Sequence, residues 1–330
     1  MVPCFLALLW YHSFSFLGGD IVIDMHYDLL SILYKCYLEN DYRYVEKWSS
    51  YYNQNNVSGL LANLYFMNPM EMKKELGEDY PEINVLEMFR VATELFQKYF
   101  PNTKVIYSIE GCDYIKDTAE LEQLAGLGLK NILLVWNNPN KYGSGNVSNQ
   151  GLTELGKEFI IKAIDLGISI DLSHMNQNTF RDTVALLKEQ RGLGKKVKVI
   201  ASHSNCYRLC NHPRNLDDWQ LRELRELDGI LGLVSYTNFV GNGDVDYKEK
   251  YLEHVKYAVD IMGIDYVGVS SDNMMFGNYF YGDHYSEIFE YKNMKEELRT
   301  LLLKEYSEED VEKILFRNVE NKLFKEEEKW

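Results

Sequence analysis

The sequence predicts an α/β chain folded as a TIM (β/α)8 barrel with extra helices. Three observations carry that prediction. Strand-length apolar runs alternate with helical stretches from end to end, eight strands in all, each followed by a helix or helical candidate. No linker of the usual length or composition divides the 330 residues. Imidazole and carboxylate side chains gather at the C-terminal ends of the strands, where the chemistry of such a barrel sits. A doubly wound open sheet is the competing arrangement. Residues 20–330 are expected to form a single domain, with residues 1–19 as an N-terminal extension of uncertain status.

Taken in order, Ile21 to Asp24 reads as the first strand and Leu29 to Tyr52, rich in Tyr and Leu, as helix. Val57 to Phe66 is a second apolar run. Ile83 to Phe100 carries Leu86, Phe89, Ala92, Phe96 and Tyr99 at helical spacing, and Pro101 stops it. Lys104 to Ile109 is the third strand, Thr118 to Leu127 a short helix, and Asn131 to Val135 the fourth strand. It opens into Asn137 to Gln150, whose Gly, Asn and Ser content is loop chemistry. Thr153 to Leu166 is helical, with Gly167 just past its end. Strands follow at Ile168 to Leu172, Lys196 to Ala201, Gly229 to Val234 and Tyr266 to Ser270. Helices lie between them at Asn176 to Gln190, Leu216 to Leu227 and Tyr247 to Met262. The remainder is helical, and Ser307-Glu308-Glu309-Asp310 has the form of a capping box that opens the last helix.

Composition narrows the partners. A net charge of -15 argues against a nucleic-acid backbone, which needs a basic surface. The five cysteines (Cys4, Cys36, Cys112, Cys206, Cys210) contain no Cys-x-x-Cys, so a disulfide framework is not expected and a reducing, cytoplasmic setting fits. The apolar stretch Phe5 to Leu17 is weak as a secretory signal, though it leaves secretion open, and is too short for a membrane span. No stable membrane anchor is expected, because the chain ends in Lys325-Glu-Glu-Glu-Lys-Trp330.

The strand ends carry the chemistry. The first ends in Asp24-Met25-His26-Tyr27-Asp28, which alone reads equally well as a metal grip or as a turn whose Asp caps the next helix. Alternation along a strand would put Asp24, His26 and Asp28 on one face. The third strand ends in Glu110, the fifth in Asp171-Leu172-Ser173-His174, the sixth in Ser202-His203 and the eighth in Ser271-Asp272. Two histidines, one His-x-Asp and one glutamate on one barrel mouth form a ligand set for two divalent ions. Zinc suits imidazole plus carboxylate, with manganese, cobalt or iron as other candidates. Glu110 could bridge two such ions.

These motifs, with Gly151-Leu-Thr, Pro213-Arg-Asn-Leu-Asp217 and Val267-Gly-Val-Ser-Ser-Asp272, occur in the order found in the renal-type membrane dipeptidases, which the chain resembles from about residue 20 to its final helix. The resemblance implies a TIM barrel, two metal ions, a dipeptide or similar small substrate, and a homodimer. It implies that His26 and Asp28 bind one metal, His174 and His203 the other, and Glu110 both. Arg214 matches the arginine that holds the substrate carboxylate, and Asp272 the acid that shuttles a proton. A metal-bridging hydroxide would then attack the peptide bond.

Three departures bear on substrate. Trp136 stands where the animal enzymes have a histidine that steadies the carbonyl. Asn137 or Asn138 could supply a donor instead, or Trp136 could be an aromatic wall of the mouth. Asp272-Asn-Met-Met275 replaces the family's Asp-Phe-Asp-Gly, and Tyr27 replaces a smaller polar residue. Trp136 and Asn137 are therefore placed with Arg214 as substrate-binding candidates. The readings are a metallo-dipeptidase, a two-metal hydrolase of another small amide or lactam, and a non-catalytic metal-bound barrel. The aromatic loop Asn273 to His284 is expected to overhang the mouth or to form a dimer contact.

Overall fold

The computed structural model describes residues 22–55, 59–66, 83–273, 288–289 and 293–325. Eight parallel strands close into a barrel in chain order: β1 Ile23–Tyr27, β2 Gly59–Tyr65, β3 Lys104–Glu110, β4 Leu129–Leu133, β5 Ser169–Asp171, β6 Val199–Ser204, β7 Ile230–Val234 and β8 Val267–Ser270. Asp24 of β1 pairs with Val269 of β8, so the barrel expectation holds and the open sheet does not. The strands are buried almost throughout, as both faces of a parallel sheet must be when helices cover one and side chains fill the other.

The helices are α1 Leu29–Glu39, α2 Arg43–Asn55, α3 Val85–Tyr99, α4 Thr118–Gly126, α5 Glu154–Asp165, α6 Gln177–Gly192, α7 Asp218–Glu226, α8 Thr237–Val240, α9 Tyr247–Met262, α10 Met294–Leu302 and α11 Glu308–Glu312. The start of α3 shows how the sequence sets these elements. The Asn84 side chain accepts from the Glu87 N–H, and Val85, Phe89, Ala92 and Phe96 are buried on one stripe. Burying a side chain such as Phe89 contributes about 1.5–3 kcal/mol.

Several expectations shift. The helix expected over 29–52 is two helices, because Asn40 takes the left-handed conformation (φ 51°) and returns its N–H to the Cys36 and Tyr37 carbonyls. The first strand begins two residues and ends three residues later than expected. The sixth begins at Val199 rather than Lys196, which is exposed. Ser307 caps α11 by accepting from the Asp310 N–H, but its hydroxyl also donates to the Asp310 carboxylate in place of the return bond of a full box. Past α11 the backbone is π-helical over Lys313–Arg317 and Glu320–Phe324. The aromatic loop expected to overhang the mouth lies, beyond Asn273, outside the described residues.

The barrel interior is sealed at the N-terminal ends of the strands. Ile23, Met25, Leu61, Ile106, Ile200 and Ile230, from five strands, pack with Val319 and Leu323 of the C-terminal segment. Above this floor the interior turns polar. Gly232 of β7 permits that step, since a Cβ there would lie 2.0 Å from the Ser202 carbonyl oxygen and 3.0 Å from Met25 Cβ.

Candidate active site

The site is assembled from strand ends. The register of β1 against β2 shifts between Asp24 and Tyr27, so simple alternation does not continue through this stretch. Asp28 leaves the strand and occupies the N-cap position of α1, yet its side chain makes no capping bond. It turns inward instead, with Oδ1 3.6 Å from His26 Nε2. Asp24 accepts from the backbone N–H groups of His26 and Ser271 and from the Ser271 hydroxyl, which ties the end of β1 to the end of β8.

Glu110, at the end of β3, is 3 % exposed and divides its two oxygens. Oε2 is 3.0 Å from His26 Nε2, while Oε1 is 2.7 Å from His174 Nε2 and 3.6 Å from His203 Nε2. Asp272 Oδ1 is 3.7 Å from His26 Nε2, and its side chain, 23 % exposed, faces the mouth. His174 and Asp272 hold left-handed backbone angles, φ 70° and 52°, that a residue with a Cβ rarely adopts. Strain at two strand ends aims two of the candidate groups into one space.

Could this set hold metal? His174 Nδ1 is 3.1 Å from Asn137 Oδ1, an acceptor, so the ring carries its proton on Nδ1 and a lone pair on Nε2. That Nε2 lies 2.9 Å from His203 Nε2 and beside the Glu110 carboxylate. Asp28 Oδ1 is buried and receives no hydrogen bond. Lone pairs and carboxylate oxygens turned toward one another in a buried space are what a divalent cation satisfies. The donor set fits, as two overlapping groups: His26, Glu110 and His203, and His26, Asp28 and Asp272.

The charges agree with this. Burial works against a proton on His26, but Glu110 and Asp28 hold its affinity well above the ordinary imidazole value. Burial lifts Asp28 to about 6, and lifts Asp272 to about 7 with help from the Glu110 and Asp28 charges. Burial together with Arg214 drops His174 to about 3, and burial drops His203 well below its usual value. Burial also lowers Arg214 to about 10 against the pull of Asp272 and Glu110.

Arg214 lies in the loop after β6, 5 % exposed. Its Nη2 donates to the His203 carbonyl at 3.4 Å and its guanidinium packs 5.5 Å from the Phe239 ring. Trp136 forms a wall of the mouth, edge-on to Tyr65 at 5.1 Å and 6.0 Å from the His174 ring. Asn137 lies beside it, engaged with His174. Gly145 lets the loop fold back over both, for a Cβ there would sit 1.8 Å from the Trp136 carbonyl oxygen.

Residues 22–329 match the model of the membrane dipeptidase family, peptidase family M19. The chain belongs to that family. An Acinetobacter calcoaceticus protein named for its place beside a PQQ gene is 31 % identical over 169 residues, 47 % of this chain and 51 % of its own length. An uncharacterized dipeptidase of Schizosaccharomyces pombe is 27 % identical over 200 residues, 57 % of this chain and 46 % of its own. The chain thus spans about half the length of these curated relatives. A metallopeptidase of Rhodobacter sphaeroides, solved with a phosphinate mimic of the dipeptide L-Ala-D-Ala, has the same fold. Its TM-score is 0.70 at 21 % identity, covering 95 % of this chain and all of that one.

The candidates that match the family's pattern (His26, Asp28, Glu110, His174, His203, Asp272 and Arg214) and the two raised by its departures (Trp136 and Asn137) lie around one mouth. Sequence reasoning quoted Asp171 and Ser202 only as neighbours of the histidines and gave no role to the polar layer beneath them, chiefly Ser202, Asp171, Asn131 and Ser108, all fully buried. Their signal was available, as polar side chains inside strands that otherwise read apolar. His254 is a strut. Its Nδ1 accepts from the Cys206 N–H, and its Nε2 lies 3.0 Å from the Val240 carbonyl.

Proposed function

We propose that this protein is a metal-dependent dipeptidase. The observation that carries the reading is the divided carboxylate of Glu110, one oxygen facing His26 and the other facing His174 and His203. In this reading His26 and Asp28 hold one divalent ion, His174 and His203 a second, and Glu110 both. The imidazole-plus-carboxylate set suits zinc. Two such ions, when bound, would supply a Lewis acid for the scissile carbonyl and would acidify a water as nucleophile.

The chain's own groups do the rest. Arg214, buried and backed by Phe239, offers a guanidinium fork to the free C-terminal carboxylate of a short peptide. Asp272, partly open to the mouth and with an affinity near neutral pH, takes a proton from the attacking water and passes it to the leaving amine. Trp136 and Tyr65 bound the mouth on one side, in keeping with an apolar substrate side chain. The dipeptide mimic held by the Rhodobacter sphaeroides relative supports the substrate class.

A homodimer and a cytoplasmic setting complete the reading. Cys36, Cys112, Cys206 and Cys210 are free and buried, which supports a reducing compartment. No helix among the described residues is long and apolar enough to cross a membrane.

The test is metal analysis of the purified protein joined to a hydrolysis screen. We expect about two zinc equivalents after supplementation and turnover of dipeptides, including some with a D-residue at the C-terminal position. Two equivalents with turnover only of other amides or lactams would favour the second reading, which the Trp136 wall motivates. Fewer than two equivalents and no hydrolysis would overturn the proposal.

A further inference from the structure

Arg214 is buried, yet its head is held by little. A guanidinium has five N–H donors. Among the described residues its hydrogen bond is the one from Nη2 to the His203 carbonyl, at 3.4 Å. A long side chain that must meet a carboxylate in a fixed place needs support from its surroundings. The residues beside it supply that support. His212 Nδ1 accepts the Arg214 backbone N–H at 3.2 Å, and its ring lies 4.6 Å from the Phe239 ring.

On the other side stands Asn215, also buried. Its amide donates to the Cys210 carbonyl at 2.9 Å and to the Phe239 carbonyl at 2.8 Å. Its Oδ1 accepts the Asn205 N–H at 3.2 Å. Asn205 is itself fixed to the end of β7, where its side chain donates to the Val234 carbonyl and accepts the Val234 N–H. Phe239 lies on α8, after β7, and its ring is 5.5 Å from the Arg214 guanidinium. Arg214 and Asn215 lie in the loop after β6. Asn215 thus joins two loops at the point where one supplies a cation and the other its aromatic backing. Any shift of Phe239 relative to the loop after β6 must break that bond.

We propose that Asn215 is a positioning residue for substrate binding, acting through Arg214 and Phe239. It keeps the guanidinium on its ring, so that the fork meets the C-terminal carboxylate of a dipeptide in one place. Its own hydrogen bonds go to backbone groups of residues 205, 210, 212 and 239, none of them a metal-ligand candidate. The carboxylate is held alike before and during the reaction, so losing Asn215 should act on KM rather than on kcat.

The proposal rests on the dipeptidase reading, and its test separates the two. We would measure kcat and KM on one hydrolysed dipeptide and on its C-terminal amide, which lacks the charge that Arg214 receives. A hydrogen-bonded charge contributes about 10–100-fold, so wild-type protein should prefer the acid by that factor. Asn215→Ala should raise KM for the acid by about tenfold with little change in kcat, and change KM for the amide far less. A purely structural role would lower activity on both substrates alike and leave the preference intact. Asn215→Ser keeps one donor and is the second variant should Asn215→Ala fail to fold; it should lose a smaller part of the preference. Phe239→Leu keeps the carbonyl and removes the ring, so it should lower the preference too. The double variant Asn215→Ala/Phe239→Leu should fall no further than the weaker single variant. Full preference in the Asn215 variants would overturn the positioning role alone, as would additive losses in the double variant. Dipeptide turnover with no preference for the acid in wild-type protein would overturn the Arg214 assignment and this proposal with it. Wild-type protein that hydrolyses no dipeptide would overturn the dipeptidase reading itself and this proposal with it.

Discussion

At the N-terminal ends of the strands the barrel interior is filled by Ile23, Met25, Leu61, Ile106, Ile200 and Ile230. At the C-terminal ends β1, β3 and β6 carry His26, Glu110 and His203, and His174 and Asp272 lie just beyond β5 and β8. The floor consists of groups that gain by leaving water. The mouth consists of groups that lose by it, and their altered proton affinities record the loss. Burial lifts Asp28 to about 6 and Asp272 to about 7, and drops His174 to about 3. The floor and the surrounding helices therefore offset a mouth that is costly to assemble, and the mouth is where the chemistry lies. The difference teaches that substitutions should act on stability at one end and on chemistry at the other.

The largest effect expected at the mouth is from Asp272→Asn. It removes a proton acceptor while keeping the shape, so kcat/KM on a hydrolysed dipeptide should fall by roughly 10²–10⁴-fold. Unchanged turnover would break the contrast at its functional end. At the floor, Leu61→Ala should lower unfolding free energy by about 2–5 kcal/mol in a denaturant titration. The cavity it leaves is remote from the metal-binding atoms, so zinc stoichiometry should hold. Lost metal with intact stability would show that the two ends are not separable.

A smaller effect is expected from His254, outside both regions. Burial drops its affinity from 6.5 to about 4. Its Nδ1 accepts from Cys206 N–H, a bond that needs the neutral ring. The unfolded chain takes the proton first as pH falls, so this contribution is present above pH 6.5 and is lost progressively down to about pH 4. The full span is about 3 kcal/mol. A His254→Gln protein should show a shallower loss of stability over that window, read from denaturation midpoints. An identical slope would remove His254 from the account.

Much of this molecule was legible before folding was considered. The eight strands stand out because a strand buried on both faces reads as an apolar run, and the helices because apolar residues recur at helical spacing, with Pro101 and Gly167 marking two of their ends. The candidate site residues stood out as a joint pattern, His, Asp and Glu at five strand ends in the order of a known family, since each motif alone reads equally well as a cap or turn. The break at Asn40 did not, because a single left-handed residue leaves the helical composition on either side unchanged. Nor did Ser202, since a serine beside a histidine is unremarkable in sequence. Its hydroxyl meets two imidazoles only because β1 and β6 bring them to it.

By itself, then, the sequence determined the fold class, the family and the roster of groups at the mouth, for these depend on local pattern and on the identity of residues at strand ends. Only the tertiary structure decided what those groups do to one another. It turned Asp28 from a helix cap into a buried carboxylate facing His26, divided the Glu110 oxygens between two sets of imidazoles, and put one serine under both. The physical reason is range. Caps and periodicities act over a few residues, whereas hydrogen bonds and charges act over a few ångströms, and barrel closure makes residues 26, 110, 174, 203 and 272 neighbours.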